Sequence, residues 1–274
     1  MHDETPHRDT NLNPEENMRY RFTAPMLALL AAGACATAGT MQEDEGMMME
    51  DEGMMMEGTT FNVTVEAVSQ PGTLETDRAM GAVPLSPGVY AVFTGANPMF
   101  TVGQQANAGI ERIAEDGFPG PPLPAGSAST MVANAANVKA SGVFQSPGGP
   151  LGPALEPGSK ASFTVTASPG DLLQIATMFV QSNDWFYAFQ GAGLPLFNGS
   201  APAGGDVTSR LVVYDAGTEA DTPPGTGPNQ KPAQDPMAMN VGPADPNNRI
   251  RPASEDGFPI PPAAAVIRVT VTPQ

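Results

Sequence analysis

Cysteine occurs once in the 274 residues of this chain and histidine twice. The cysteine is Cys35 and the histidines are His2 and His7, so nothing beyond residue 35 offers a thiol or an imidazole. That scarcity excludes an intramolecular disulfide framework. It also excludes nucleophile systems of the Ser-His-Asp and Cys-His kinds and zinc sites built on His and Cys. Positive charge is scarce as well: 12 Lys and Arg stand against 29 Asp and Glu, a formal net charge of −17. So acidic a chain cannot neutralise a run of phosphates, which excludes nucleic acid as a partner. An anionic membrane surface repels it too, unless a bound cation bridges the contact.

Glycine and proline are abundant by contrast, thirty of each. A helical bundle does not tolerate that many; turns and short strands do. The length suits one large all-β domain or two small ones.

The N-terminal part reads as an address. Met18-Arg19-Tyr20-Arg21 is a positive n-region, followed by a short apolar stretch over residues 22–34. That stretch is shorter than the ~20 residues a membrane-spanning helix needs, so it reads as an export signal. It leads into Ala32-Gly33-Ala34-Cys35, which resembles the bacterial lipoprotein signal and makes Cys35 the expected lipidation site. Ordinary secretion, with cleavage after Ala34-Cys35-Ala36 or Ala36-Thr37-Ala38, is the competing reading. Residues 1–17 precede the n-region, and Met18 is a second candidate start.

Residues 41–58 follow as an acidic linker that contains a seven-residue repeat, Glu43-Asp44-Glu45-Gly46-Met47-Met48-Met49 and then Glu50-Asp51-Glu52-Gly53-Met54-Met55-Met56. Thioethers suit Cu(I), but the charge run reads first as a self-repelling solvated stalk.

From residue 59 to the C-terminus the texture is that of a folded domain. Phe61-Asn62-Val63-Thr64-Val65-Glu66-Ala67-Val68 alternates apolar and polar side chains, the mark of a half-buried strand. Residues 88–94, 161–166, 172–180, 207–214 and 265–271 repeat the strand signal between Gly, Pro, Asn and Asp punctuation. Two stretches predict helices, residues 104–115 and 127–139. These are too few for βαβ units, so the expected fold is an antiparallel β-sandwich with short helices in its connections. Glu115-Asp116-Gly117-Phe118-Pro119 recurs as Glu255-Asp256-Gly257-Phe258-Pro259, which reads as a recurrent turn with Gly at the bend, or as a pair of ion sites. Residues 220–249 lack apolar periodicity and predict a long loop, a length usually reserved for function or disorder.

Two short motifs carry the chemistry. Ser182-Asn183-Asp184-Trp185-Phe186 holds the only tryptophan, beside an acid. Tyr214-Asp215-Ala216-Gly217-Thr218-Glu219 sets two carboxylates four residues apart, directly after a strand pattern. Acids at strand ends, joined by a small flexible link, suit a hard cation that takes only oxygen ligands. The bland alternative is that they cap turns. Trp185 reads as a core residue; if partly exposed beside an ion, it becomes a platform for a sugar or peptide. An enzyme reading has only carboxylates to work with. Asp184 with Asp215 or Glu219 would then form a glycan-cleaving pair, although glycosidase clefts usually carry more aromatics than one Trp and four Tyr supply.

The order of several motifs resembles a known family. Leu85-Ser86-Pro87-Gly88-Val89, Phe100-Thr101-Val102-Gly103, Ala108-Gly109-Ile110-Glu111 and Ala114-Glu115-Asp116-Gly117 come first. The S-N-D-W-F and D-A-G-T-E motifs and Gly225-Thr226-Gly227-Pro228-Asn229-Gln230 follow. Over residue 60 to the C-terminus the run is similar to bacterial spondin-domain proteins, relatives of the N-terminal spondin domain of F-spondin. The resemblance implies a C2-like β-sandwich that binds Ca2+ through acids at one end. By motif match those acids are Asp184, Asp215 and Glu219, the last standing where animal members have Asp. The function so implied is an exported calcium-binding module, working by binding or adhesion to an extracellular protein or polysaccharide and not by catalysis. Its contact with a membrane would run only through the lipid anchor.

Overall fold

The computed structural model describes residues 58–120, 127–147, 154–235 and 238–274. The expected export signal with Cys35, and residues 41–57 of the expected linker, lie outside them. In chain order the described strands are β1 (Thr59–Ala67), β2 (Gly88–Phe93), β3 (Val138–Phe144), β4 (Lys160–Ala167), β5 (Leu172–Met178), β6 (Trp185–Phe189), β7 (Leu194–Pro195), β8 (Phe197–Asn198), β9 (Ala201–Pro202), β10 (Gly205–Asp206), β11 (Leu211–Asp215), β12 (Arg251–Pro252) and β13 (Ile267–Pro273). Two helices, α1 (Ala108–Asp116) and α2 (Ala128–Ala133), fall between β2 and β3.

Alternation explains the smaller sheet. Along β1 the side chains of Phe61, Val63, Val65 and Ala67 are buried while those between them are not. β4 and β13 carry the same pattern and flank β1 antiparallel, with Val65 opposite Val269 on one side and Ala161 on the other. One apolar face and one wet face is the signature of a sheet covered on one side only. The order of this sheet is β10-β13-β1-β4.

The larger sheet runs β12-β11-β6-β5-β2-β3, with β7 added on β5. Its central strands are apolar on both faces because both are covered. Trp185, Tyr187 and Phe189 of β6 and Leu173 and Ile175 of β5 face the smaller sheet and form the core between the layers. Phe186 and Ala188 of β6, Ala176 of β5 and Tyr214 of β11 face outward beneath Ile110, Ile113 and Ala114 of α1 and Val132 of α2. Over the described residues the fold is thus an all-β sandwich with short helices packed on one outer face, the class that the strand and turn pattern predicts.

The elements differ from expectation in places. Asn107 caps α1: its side-chain oxygen accepts from the backbone N–H groups of Gly109 and Ile110, each at 3.0 Å, so residues 104–107 stay outside the helix. The second expected helix stops at Ala133, and Val138 already belongs to edge strand β3. Only its first two residues, Val138 and Lys139, fall within the expected helix, and pairing with β2 decides the state of the whole VKASGVF strand. The described part of residues 220–249 holds turns and one isolated bridge, Glu219 to Ala244, with neither helix nor ladder strand.

Candidate metal centre

The antiparallel order β12-β11-β6 brings three chain segments to one end of the larger sheet. Asp215, last residue of β11, is paired across the ladder with Trp185, first residue of β6, and on its other side with Arg251 of β12. Asp184 immediately precedes β6, and the backbone N–H of Ala216 donates to its carbonyl at 3.1 Å. The turn after β11 requires glycine. Gly217 has φ +68, and a Cβ there would lie 2.5 Å from the backbone nitrogen of Arg249. The chain therefore turns tightly under residue 249 and carries Thr218, Glu219 and Asp221 back over the strand ends.

Carboxylate oxygens of Asp184, Asp215 and Asp221 lie within 4.8 Å of one another. Oxygens sharing a cation at about 2.4 Å cannot be more than roughly 5 Å apart, so the spacing fits a single ion. In each of the three, one oxygen is held by the protein. Asp184 Oδ2 accepts from the Thr218 N–H at 2.7 Å, the Thr218 hydroxyl at 3.0 Å and the Glu219 N–H at 2.9 Å. Asp215 Oδ1 accepts from the Gly217 N–H, and Asp221 Oδ2 accepts from the indole N–H of Trp185 at 3.0 Å. The second oxygen of each, Asp184 Oδ1, Asp215 Oδ2 and Asp221 Oδ1, is buried and receives no hydrogen bond from an N–H or hydroxyl group, and the Asp215 and Asp221 carboxyls lie close enough to each other to share a proton. Buried polar atoms are seldom left so.

Charge sharpens the point. Arg251 touches Asp215 Oδ2 at 2.5 Å, and also Asp245 Oδ2 and Asp256 Oδ1 at 2.7 Å each. The Asp215 contact has ion-pair distance without hydrogen-bond alignment, which is why that oxygen still lacks a bond. Of the five carboxylates of residues 184, 215, 221, 245 and 256, this one guanidinium pairs with three, those of 215, 245 and 256. Burial pushes the Asp184, Asp215 and Asp221 carboxyls up, and repulsion from Asp221 and from Asp184 raises Asp184 and Asp215 further. Without a cation the three do not all ionise together near neutral pH.

Of the acids singled out in the sequence, Asp184 and Asp215 meet in this group. Glu219 does not: it is buried next door, with Oε1 accepting from the Asn183 side-chain amide at 3.1 Å, and burial pushes its carboxyl up to about 8. Asp221 takes the third place. It lay unremarked at the start of the long loop, and its signal was its position two residues beyond the D-A-G-T-E motif. Trp185 is a core residue, and its reading as a possible ligand platform is corrected. It is 0 % exposed, packed against Phe179 and Phe258, and its polar edge serves Asp221, so it offers no face to a ligand. The loop docks through polar contacts. Asn183 Oδ1 accepts from the Thr222 N–H at 3.0 Å, the Thr222 hydroxyl at 2.9 Å and the Gln230 amide at 3.1 Å.

The two E-D-G-F-P segments bracket this centre. Each closes a helical turn at a left-handed glycine, Gly117 with φ 71 and Gly257 with φ 78. Asp116 pairs with Arg112 at 3.2 Å and Asp256 with Arg251. Glu115 sits beside Thr218 and Asp184 with Oε2 buried and unpartnered, its carboxyl pushed by burial up to about 7.

Compared with known proteins, the chain matches no family model and no curated sequence.

Proposed function

We propose that this chain is an exported calcium-binding β-sandwich module of spondin type, working at the cell surface or outside the cell through contacts with a protein or polysaccharide. One observation carries the cation reading. Three aspartates, Asp184 before β6 and Asp215 and Asp221 at and after the end of β11, gather oxygens within 4.8 Å of one another; each spends one oxygen on a protein hydrogen bond, and the other is buried with no N–H or hydroxyl donor, that of Asp215 lying beside Arg251. Donors that fix a ligand carboxylate from behind are the ordinary second layer of a metal site. An all-oxygen set of aspartates suits Ca2+, whose remaining positions water and backbone carbonyls fill. A bound ion would neutralise the cluster and fasten the start of the long loop, leaving the rest of that loop as the recognition surface.

A second reading has its own observation. The Arg251 contact to Asp215 supports a purely structural ion-pair cluster, closed by one guanidinium and retained protons. The glycan-cleaving alternative finds less support, because Asp184 and Asp215 are both 0 % exposed and a glycoside has to reach between its acids. The copper-binding stalk concerns residues outside the described ones.

Calorimetric titration of the metal-free chain separates the first two readings. The calcium module predicts saturable binding of one Ca2+ per chain, with Mg2+ much weaker, and loss of binding in Asp184→Asn. The ion-pair cluster predicts no calcium heat at all.

A further inference from the structure

Arg251 stands where a cation ligand and a protein cation meet at one side chain. Asp215 supplies an oxygen to the three-carboxylate group and at the same time lies 2.5 Å from the Arg251 guanidinium. The guanidinium has other anchors. Its Nε donates to Asp256 at 2.8 Å and one terminal nitrogen donates to Asp245 at 2.7 Å, while the other donates to the carbonyl of Asn247 at 2.9 Å. The Arg251 side chain is 12 % exposed, so these charges meet with little screening. Burial opposes its charge, but Asp245, Asp215 and Asp256 hold it protonated.

We propose that Arg251 is the resident counter-cation of the site, sharing Asp215 with the divalent ion and setting the affinity at which that ion binds. This rests on the cation reading given above and adds the residue that tunes it. In the metal-free protein the guanidinium is, among the described residues, the one cation paired with Asp215. An ion that takes Asp215 leaves Arg251 on Asp245 and Asp256, which are close enough to keep it in place. A guanidinium nitrogen 2.5 Å from the shared oxygen lies no more than about 5 Å from any ion that oxygen holds. Two positive charges at that separation repel even under the screening of bulk water. The arginine therefore weakens divalent binding while it stabilises the empty site. Because Arg251 sits on β12, at the end of the long loop, the position of residues 245–256 is tied to occupancy through the same contact.

The test is the dissociation constant for Ca2+ measured on the full chain, with Arg251→Gln, which removes the charge and keeps hydrogen-bonding capacity, and Arg251→Lys, which keeps the charge. Arg251→Gln should bind Ca2+ at least about tenfold more tightly than wild type, from the Coulomb term alone, and should melt at a lower temperature in EDTA. Arg251→Lys should stay near wild type. Unchanged or weaker binding in Arg251→Gln overturns the proposal, since it would make Arg251 a mere holder of Asp215. Asp245→Asn serves if Arg251→Gln does not fold. It takes a rival anchor from the guanidinium and should weaken Ca2+ severalfold even at high salt, where loss of a distant charge is screened; unchanged affinity there overturns the proposal equally. If wild type itself binds no Ca2+, the underlying cation reading fails, an outcome distinct from any of these.

Discussion

Replacing Asp184 by Asn separates the metal's contribution from the protein's own. The amide oxygen can keep the place of Oδ2 and go on accepting from Thr218 and Glu219. The amide nitrogen then takes the place of Oδ1, the buried oxygen without a partner, and becomes a donor facing Asp215 and Asp221. In EDTA the exchange removes a buried carboxyl whose ionisation is opposed first by desolvation and then by Asp221. Each unit of raised pKa is worth about 1.4 kcal/mol, and shared titration in the cluster dilutes it, so a gain on the order of 1–2 kcal/mol is expected at neutral pH. For a domain of this size that is a rise of roughly 2–8 °C in melting temperature. In calcium the order reverses. Wild type gains RT ln(1 + [L]/Kd), about 2.7 kcal/mol at a hundredfold excess over Kd, and the variant gains nothing. Thermal unfolding of both proteins across a calcium series should therefore show crossing curves. A variant that is less stable than wild type in EDTA, with the same calcium response, would refute the reasoning.

Other outcomes follow from the same contacts. Stability of the metal-free protein, followed by thermal melts, should fall as pH rises from about 4 to about 8. The sign comes from Glu219, pushed by burial to about 8, and Glu115, pushed to about 7. Carboxyls raised on folding give stability that is present below their unfolded pKa and lost as pH climbs through the folded one. Because Trp185 is the only tryptophan and bonds Asp221, its emission should change on Ca2+ addition in wild type and stay constant in Asp221→Asn. Glu219→Gln should weaken Ca2+ far less than Asp221→Asn in a calorimetric titration, since its oxygens lie outside the close group. Gly217→Ala should cost about 2 kcal/mol or more in denaturant unfolding, from positive φ and a Cβ placed 2.5 Å from Arg249 nitrogen.

The sandwich was legible because β1, β4 and β13 write their buried face as alternation, and that pattern survives any tertiary detail. Edge strand β3 was not: its Ala, Ser and Gly carry little β preference, and only pairing with β2 makes it a strand. Asp184 and Asp215 were legible through position, each at a strand end next to a recognisable motif. Asp221 was hidden because what selects it over Glu219 is the turn under Arg249, a contact between residues 32 apart in the chain, Gly217 and Arg249. Trp185 was legible as a core residue, but its one polar partner, Asp221, was not, because that contact depends on the turn after β11. The role of Arg251 was out of reach as well, since Asp245 and Asp256 lie on either side of β12 and Asp215 comes from its ladder partner β11, a pairing that only the fold reveals.

The central claim, that Asp184, Asp215 and Asp221 hold one hard cation, is tested most directly by anomalous diffraction from crystals of the chain grown with Ca2+ and then exchanged into Tb3+. The account predicts a single strong anomalous peak among the three carboxylates, at about 2.4 Å from the oxygens that lack hydrogen-bond partners. No peak there, with Arg251 still seated on Asp215, would contradict it.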